Sequence, residues 1–208
     1  MTHLPDFSFE EQWGAQERIA GLDEAGRGPW AGPVVAAAVI VLDKRAFLQE
    51  FSHVNDSKKL TAARREVLFE QLQESPYLAA SVGQASVEEI DSLNILEATF
   101  LAMKRALEPL GASAYLIDGS LKLPAENMKG QAIVKGDQKS YSIAAASIFA
   151  KVTRDRLMKR LGAEVPPYGW AQNMGYGTAQ HQAALAEWGV TPHHRKSYAP
   201  IRRILESA

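Results

Sequence analysis

Two apolar runs joined by a turn too short to contain a helix fix how this fold begins. Residues 19–22 (Ile-Ala-Gly-Leu) lead through Asp23, Glu24 and Ala25 into Gly26-Arg27-Gly28-Pro29, and Pro33 to Leu42 is again apolar and rich in β-branched residues. Joining two parallel strands takes a crossover of about a dozen residues or more, usually a helix, and none fits here. The second run is therefore a hairpin partner of the first. The same spacing argues against a dinucleotide-binding fold. Gly26, Gly28 and Gly32 form G-x-G-x-x-x-G, one residue too long for the fingerprint, and the next segment reads as a strand where that motif opens a helix.

Further along, Asn55-Asp56-Ser57-Lys58-Lys59-Leu60 is a polar turn. It leads into a helix carrying Ala63, Val67, Leu68 and Leu72, which Ser75-Pro76 ends. Leu78 to Ser86 reads as a strand, Ser86-Val87-Glu88-Glu89 as a capping box, and a helix from about Leu96 carries Phe100, Met103 and Leu107. Ala114 to Asp118 and Gln131 to Lys135 are two more strands. A long helix of small residues then runs from about Ser140 to Leu161, with Ile143, Ser147 and Ala150 on a face suited to close packing on a sheet. After Pro166-Pro167 come a helix from Thr178 to Trp188 and a short terminal helix. This order predicts an α/β protein, a mixed sheet flanked by helices.

The chain has no cysteine, which excludes disulfides, zinc-thiolate sites and thiol catalysis and points to a reducing cytoplasm. No apolar run reaches membrane-spanning length, and the acidic N-terminus does not read as a signal peptide, so a soluble, cytoplasmic protein without a membrane partner is expected. The formal net charge of −1 conceals an uneven distribution. Residues 1–150 carry 14 Lys and Arg against 20 Asp and Glu, whereas residues 151–208 carry 9 against 4. A basic C-terminal quarter beside an acidic centre suits a phosphate backbone held next to bound cations, although a solvated basic helix would give the same count.

Acids stand where predicted strands end: Asp23-Glu24, Asp118 and Asp137. Carboxylates at neighbouring strand ends converge on one edge of an α/β sheet, where their repulsion calls for cations. Two divalent ions about 3.5–4 Å apart could activate a water and stabilise a leaving oxygen, and all-oxygen ligation suits Mg²⁺ or Mn²⁺. The pattern alone leaves Asp155 as a rival for the last position, with an i,i+4 ion pair to Lys159 as its ordinary explanation. Gly26-Arg27-Gly28 would offer backbone donors and a guanidinium to a phosphate-bearing ligand.

Taken together, these segments resemble the bacterial ribonuclease HII family. The likeness runs through Asp23-Glu-Ala-Gly-Arg-Gly-Pro29, Asn55-Asp-Ser-Lys-Lys-Leu60, Leu93-Asn-Ile95, Ile117-Asp-Gly119, Lys135-Gly-Asp137, Ala144-Ala-Ala-Ser-Ile148, Ala150-Lys-Val-Thr-Arg-Asp155, Gly175-Tyr176 and His194-Arg195. It implies a ribonuclease H-like core over residues 1–162 and a helical, substrate-binding element over 163–208. The implied activity is endonucleolytic cleavage of RNA in RNA/DNA hybrids and 5′ to single ribonucleotides in duplex DNA, leaving 3′-hydroxyl and 5′-phosphate ends, by a protein acting as a monomer. Asp23, Glu24, Asp118 and Asp137 would bind the metals. Gly26, Arg27 and Gly28 would read the ribose 2′-hydroxyl, and Tyr176 would stack on the following sugar. Asn55, Ser57, Lys58 and Lys151 would contact phosphates. Ser120 stands where the family commonly has asparagine, and Met174 where it commonly has lysine.

Two other readings compete: a nuclease of the same fold with a different substrate, and a hybrid-binding module without catalysis. The presence of all four acids argues against the second. His193 and His194 read as surface or backbone-bonding residues and the tryptophans as packing anchors, with Trp30 set apart by its place just after the Gly-Arg-Gly turn.

Overall fold

A computed structural model of the chain describes residues 4–14, 17–54, 60–124 and 128–207. Its strands are β1 (Ile19–Ala25), β2 (Val34–Val41), β3 (Leu78–Ala85), β4 (Ala114–Asp118) and β5 (Lys129–Ile133). The helices, in chain order, are α1 (Ser8–Glu11), α2 (Lys44–Phe51), α3 (Ala62–Glu74), α4 (Val87–Leu93), α5 (Ile95–Leu107), α6 (Tyr141–Glu164), α7 (Trp170–Asn173), α8 (Ala179–Trp188) and α9 (Ala199–Glu206). The strands form one sheet in the order β3-β2-β1-β4-β5. β1 and β2 make the expected hairpin, with Ala20 opposite Ile40 and Ala25 opposite Val35. β2 and β3 are also antiparallel, whereas β4 is parallel to β1 and β5 to β4. The carboxyl ends of β1, β4 and β5 therefore lie side by side.

Both faces of the sheet are covered, which is why β2 is apolar without alternation. Ala37 and Val39 pack towards α2, α3 and α6, while Val34, Ala36, Ala38 and Ile40 pack towards α5. Ser140 caps α6 by accepting from the Ile143 amide, and Ala144, Ala145, Ala146 and Ala150 are fully buried. The small residues let the helix rest directly on β1. A Cβ at Gly21 would lie 2.3 Å from the Ser142 carbonyl carbon, so only glycine fits there. The C-terminal helices close around Tyr168, Trp170, Leu185 and Ile201, together with Met158 of α6 and Ala31 of the β1–β2 turn.

The structure departs from the sequence reading at several points of the fold. β5 begins and ends two residues earlier than expected, because Val134 is exposed and Lys135 turns left-handed (φ 57°). Val67 is exposed, and Phe69 joins Leu68 and Leu72 on the buried face of α3. The helix α2 is an addition to the expected elements. Asp43 caps it by accepting from the Ala46 amide, and Phe47 and Phe51 anchor it to the core. The capping box is present, with reciprocal bonds between Ser86 and Glu89.

Candidate active site

The parallel order of β1, β4 and β5 brings three acids together. Leu22 is in register with Ile117 and Asp118 with Ile133, so Asp23 and Asp118 leave adjacent strands at one level. Asp137 arrives from a 3-10 turn (Gly136–Gln138) just beyond β5. One carboxylate oxygen from each of Asp23, Asp118 and Asp137 lies within 4.8 Å of the others. Asp23 and Asp137 are buried and Asp118 half-buried. Asp118 accepts the Gly136 amide at 2.7 Å, and Asp23 accepts the Glu24 amide at 2.7 Å. Three carboxylates this close repel one another strongly unless a cation or proton intervenes, and an all-oxygen donor set fits a hard divalent ion.

Glu24 stands outside that trio. Its carboxylate pairs with the Arg27 guanidinium at 3.3 Å, yet it lines the same cavity as Asp23. This cavity, about 340 Å³, is bounded also by the Gly26-Arg27-Gly28 turn, Ser147, Lys151 and Tyr176. Asp155, the rival acid, is not among the clustered carboxylates. Contrary to expectation its ion pair is with Lys151, at 2.6 Å, while Lys159 reaches Glu66 at 3.9 Å. Lys151 thus borders the cavity with its charge partly engaged.

Sequence reasoning gives no role to the two arginines that hold the turn. Arg154 of α6 donates from Nε to the Pro33 carbonyl (3.1 Å), from Nη1 to Met174 (3.0 Å) and from Nη2 to Ala31 (3.3 Å). Arg195 donates from Nε to the Gly32 carbonyl (2.9 Å), from Nη1 to Arg27 (2.9 Å) and from Nη2 to Gly26 (2.6 Å). Both side chains are buried, and in each all three guanidinium nitrogens donate to main-chain carbonyls. Burial, reinforced by the neighbouring Arg195 charge, pulls Arg154 down to about 10, so it stays cationic at neutral pH; burial also lowers Arg195. Gly26 adopts φ 97°, and a Cβ there would lie 1.8 Å from Arg154 Nε. The turn can therefore neither be repacked nor carry a side chain at that point.

Tyr176 is half-exposed, with its ring edge 3.4 Å from where a Cβ on Gly28 would stand. The turn expected to read the 2′-hydroxyl and the tyrosine expected to stack on the next sugar are thus neighbours. Met174 adopts φ 53° and contributes its carbonyl to Arg154, while its side chain packs with the C-terminal apolar cluster. Ser120 is exposed beyond the end of β4. Asn55, Ser57 and Lys58 lie outside the described residues. His194 meets the backbone-bonding alternative of the expectation and not the surface one: it is fully buried, accepts the Thr191 amide, and is also bonded to His181, a residue the sequence does not single out. Trp30 is half-buried, packing over Gly177 and beside His181.

The family model described as Ribonuclease HII matches residues 20–201. The ribonuclease HII of Rhodospirillum rubrum is 52% identical over 204 residues, covering 97% of this chain and 92% of its own. That of Jannaschia sp. is 53% identical over 203 residues, covering 97% and 98%. Among solved structures, the ribonuclease H2 from Pyrococcus horikoshii OT3 matches with a TM-score of 0.76 and 30% identity over 91% of this chain and 98% of that one. With a matching family model over most of its length and relatives at half identity, the chain belongs to the ribonuclease HII family.

Proposed function

We propose that this ribonuclease cuts the RNA strand of RNA/DNA hybrids and cuts duplex DNA 5′ to a single embedded ribonucleotide, leaving 3′-hydroxyl and 5′-phosphate ends. The observation that carries the reading is the meeting of three carboxylates within 4.8 Å, one of which, Asp23, also lines the cavity bounded by the Gly26-Arg27-Gly28 turn and Tyr176. Asp23, Asp118 and Asp137, with Glu24 beside them, would hold two Mg²⁺ or Mn²⁺ ions. Bound there, the ions would activate a water and stabilise the departing 3′-oxygen.

The chain's own residues supply the selection. Gly26 and Gly28 carry no side chain of their own, so a 2′-hydroxyl could approach the backbone groups of the turn that Arg195 does not already hold, and such a contact would distinguish ribose from deoxyribose. Tyr176 would stack on the next sugar and crowd out a second ribose. Lys151, and Asn55, Ser57 and Lys58 beyond the described residues, would meet phosphates. Residues 163–208 would act as the substrate-binding element on the core of 1–162, since their helices pack on the turn through Ala31 and Met158. A monomer at work in the cytoplasm completes the reading. Among the described residues no helix is long and apolar enough to cross a membrane.

The test is a set of labelled duplexes of one sequence: all-DNA, RNA/DNA hybrid and all-RNA. With Mg²⁺ or Mn²⁺ the RNA strand of the hybrid should be cut and the all-DNA duplex left whole, and a chelator should stop the reaction. Cleavage of all three, or cleavage that persists with the chelator, would overturn the proposal.

A further inference from the structure

His194 and Arg195 are adjacent in the chain, fully buried, and reach in different directions. Arg195 grips the Gly26 and Arg27 carbonyls, and its own amide donates to the Trp30 carbonyl at 2.8 Å. His194 reaches the Tyr176 side of the cavity through His181. The Thr191 amide donates to His194 Nδ1 at 3.0 Å, so that nitrogen carries no proton and Nε2 does. Nε2 lies 3.0 Å from His181 Nε2, which must accept. Trp170 Nε1 donates to the same His181 nitrogen at 3.3 Å, a second requirement that it be bare. The His181 proton is thereby placed on Nδ1, 2.9 Å from the Tyr176 carbonyl. The Thr191 hydroxyl, 2.9 Å from the same bare His194 Nδ1, then points its proton there as well, and the protons run in one order: Thr191 to His194, His194 to His181, His181 to Tyr176.

We propose that His194-Arg195 is a two-armed positioning device that registers Tyr176 against the Gly26-Arg27-Gly28 turn, with the directed His194-to-His181 relay fixing the Tyr176 backbone. The proposal rests on the reading above that this turn and Tyr176 recognise the ribonucleotide. Neither histidine lines the cavity by the aspartates, so their part is to place other residues. Burial draws His194 down to about 4 and lowers His181, which keeps both rings neutral, as a one-way relay requires.

The experiment has two arms, both on the full chain. Nitrogen-15 NMR of the unaltered protein near pH 7 should show His181 protonated at Nδ1 and His194 at Nε2. In the second arm, His181→Phe keeps a ring but removes the donor to Tyr176, whereas His181→Asn restores a donor near the Nδ1 position. On duplex DNA with one ribonucleotide, His181→Phe should lower kcat about tenfold or more with KM within about threefold, as expected of lost alignment, and His181→Asn should recover most of the loss. The proposal is overturned by the opposite tautomers, by unchanged kcat in a folded His181→Phe, or by a loss confined to KM. Should His181→Phe fail to fold, the tautomers and the kcat of His181→Asn still decide. An unaltered protein that does not cut this duplex would overturn the proposed function, while the NMR arm would separately judge the relay.

Discussion

Asp118 sits at the end of β4 with one oxygen already taken by the Gly136 amide, so its other lone pairs are what it can offer a cation. Asparagine would keep that hydrogen bond and lose the charge. Asp118→Asn should therefore fold, by circular dichroism and thermal melt, and lose all measurable cleavage; activity within about tenfold of the parent, about 1.4 kcal/mol of barrier, would rule it out as a metal ligand. Asp137 and Asp155 make the sharper contrast. Asp137 belongs to the cluster, whereas Asp155 is one partner of a Lys151 ion pair. Asp137→Asn should lower kcat at least about a hundredfold, near 2.7 kcal/mol, and Asp155→Asn should stay within about threefold. The reverse ranking in folded variants would mean that the wrong acid has been assigned. Gly26 is the third test at this scale. Its positive φ, and the Arg154 guanidinium 1.8 Å from where a Cβ would stand, leave no room for alanine. Gly26→Ala should displace Arg154 and impair cleavage more than melting temperature, and a fully active variant would contradict the part given to the turn.

At the scale of elements, α6 rests on β1 and leads from the sheet into the basic C-terminal quarter of the chain. Gly21→Ala would push a methyl into the Ser142–Ile143 backbone, a main-chain clash that rotamer changes cannot relieve. Urea unfolding should show a loss of about 2 kcal/mol or more, and a loss under about 0.5 kcal/mol would show that the helix can shift. The His181–His194 pair makes a pH test of the C-terminal element. His194 has a folded pKa of about 4 against 6.5 when free, so above pH 6.5 it is neutral in both states and contributes no pH dependence. As pH falls from 6.5 towards 4, the unfolded chain takes up a proton that the fold refuses, and stability declines; His181, lowered by burial, acts in the same sense. Replacing His194 by phenylalanine should flatten the fall in melting temperature between pH 7 and 5, and parallel curves for variant and parent would contradict this. The hairpin is legible in the sequence because the apolar run after Pro33 leaves no room for a helix. The bounds of β5 are not, because Val134 looks like a strand residue, while the left-handed turn at Lys135 has no glycine to announce it. Nor are the roles of Arg154 and Arg195, whose partners are main-chain carbonyls, and a carbonyl acceptor leaves no mark in the sequence.

Across the whole molecule, an acidic sheet edge meets a C-terminal quarter carrying 9 Lys and Arg against 4 Asp and Glu. The edge is legible as three separated acids after apolar runs; their convergence depends on β1, β4 and β5 being parallel neighbours, which no single motif states. Tyr176, by contrast, gains its meaning from the fold, where the C-terminal helices carry it to the Gly28 side of the cavity. The central claim is that one site both binds the metal and reads the ribose, and cleavage mapping tests it most directly. A duplex DNA with a single ribonucleotide, labelled on that strand, is incubated with the protein and Mg²⁺ or Mn²⁺, and the products are sized at nucleotide resolution. The account predicts one cut, immediately 5′ to the ribonucleotide, with a 3′-hydroxyl on the upstream fragment and no cut without metal. Cuts scattered through the DNA, a cut on the 3′ side of the ribose, or an upstream 3′-phosphate would contradict it.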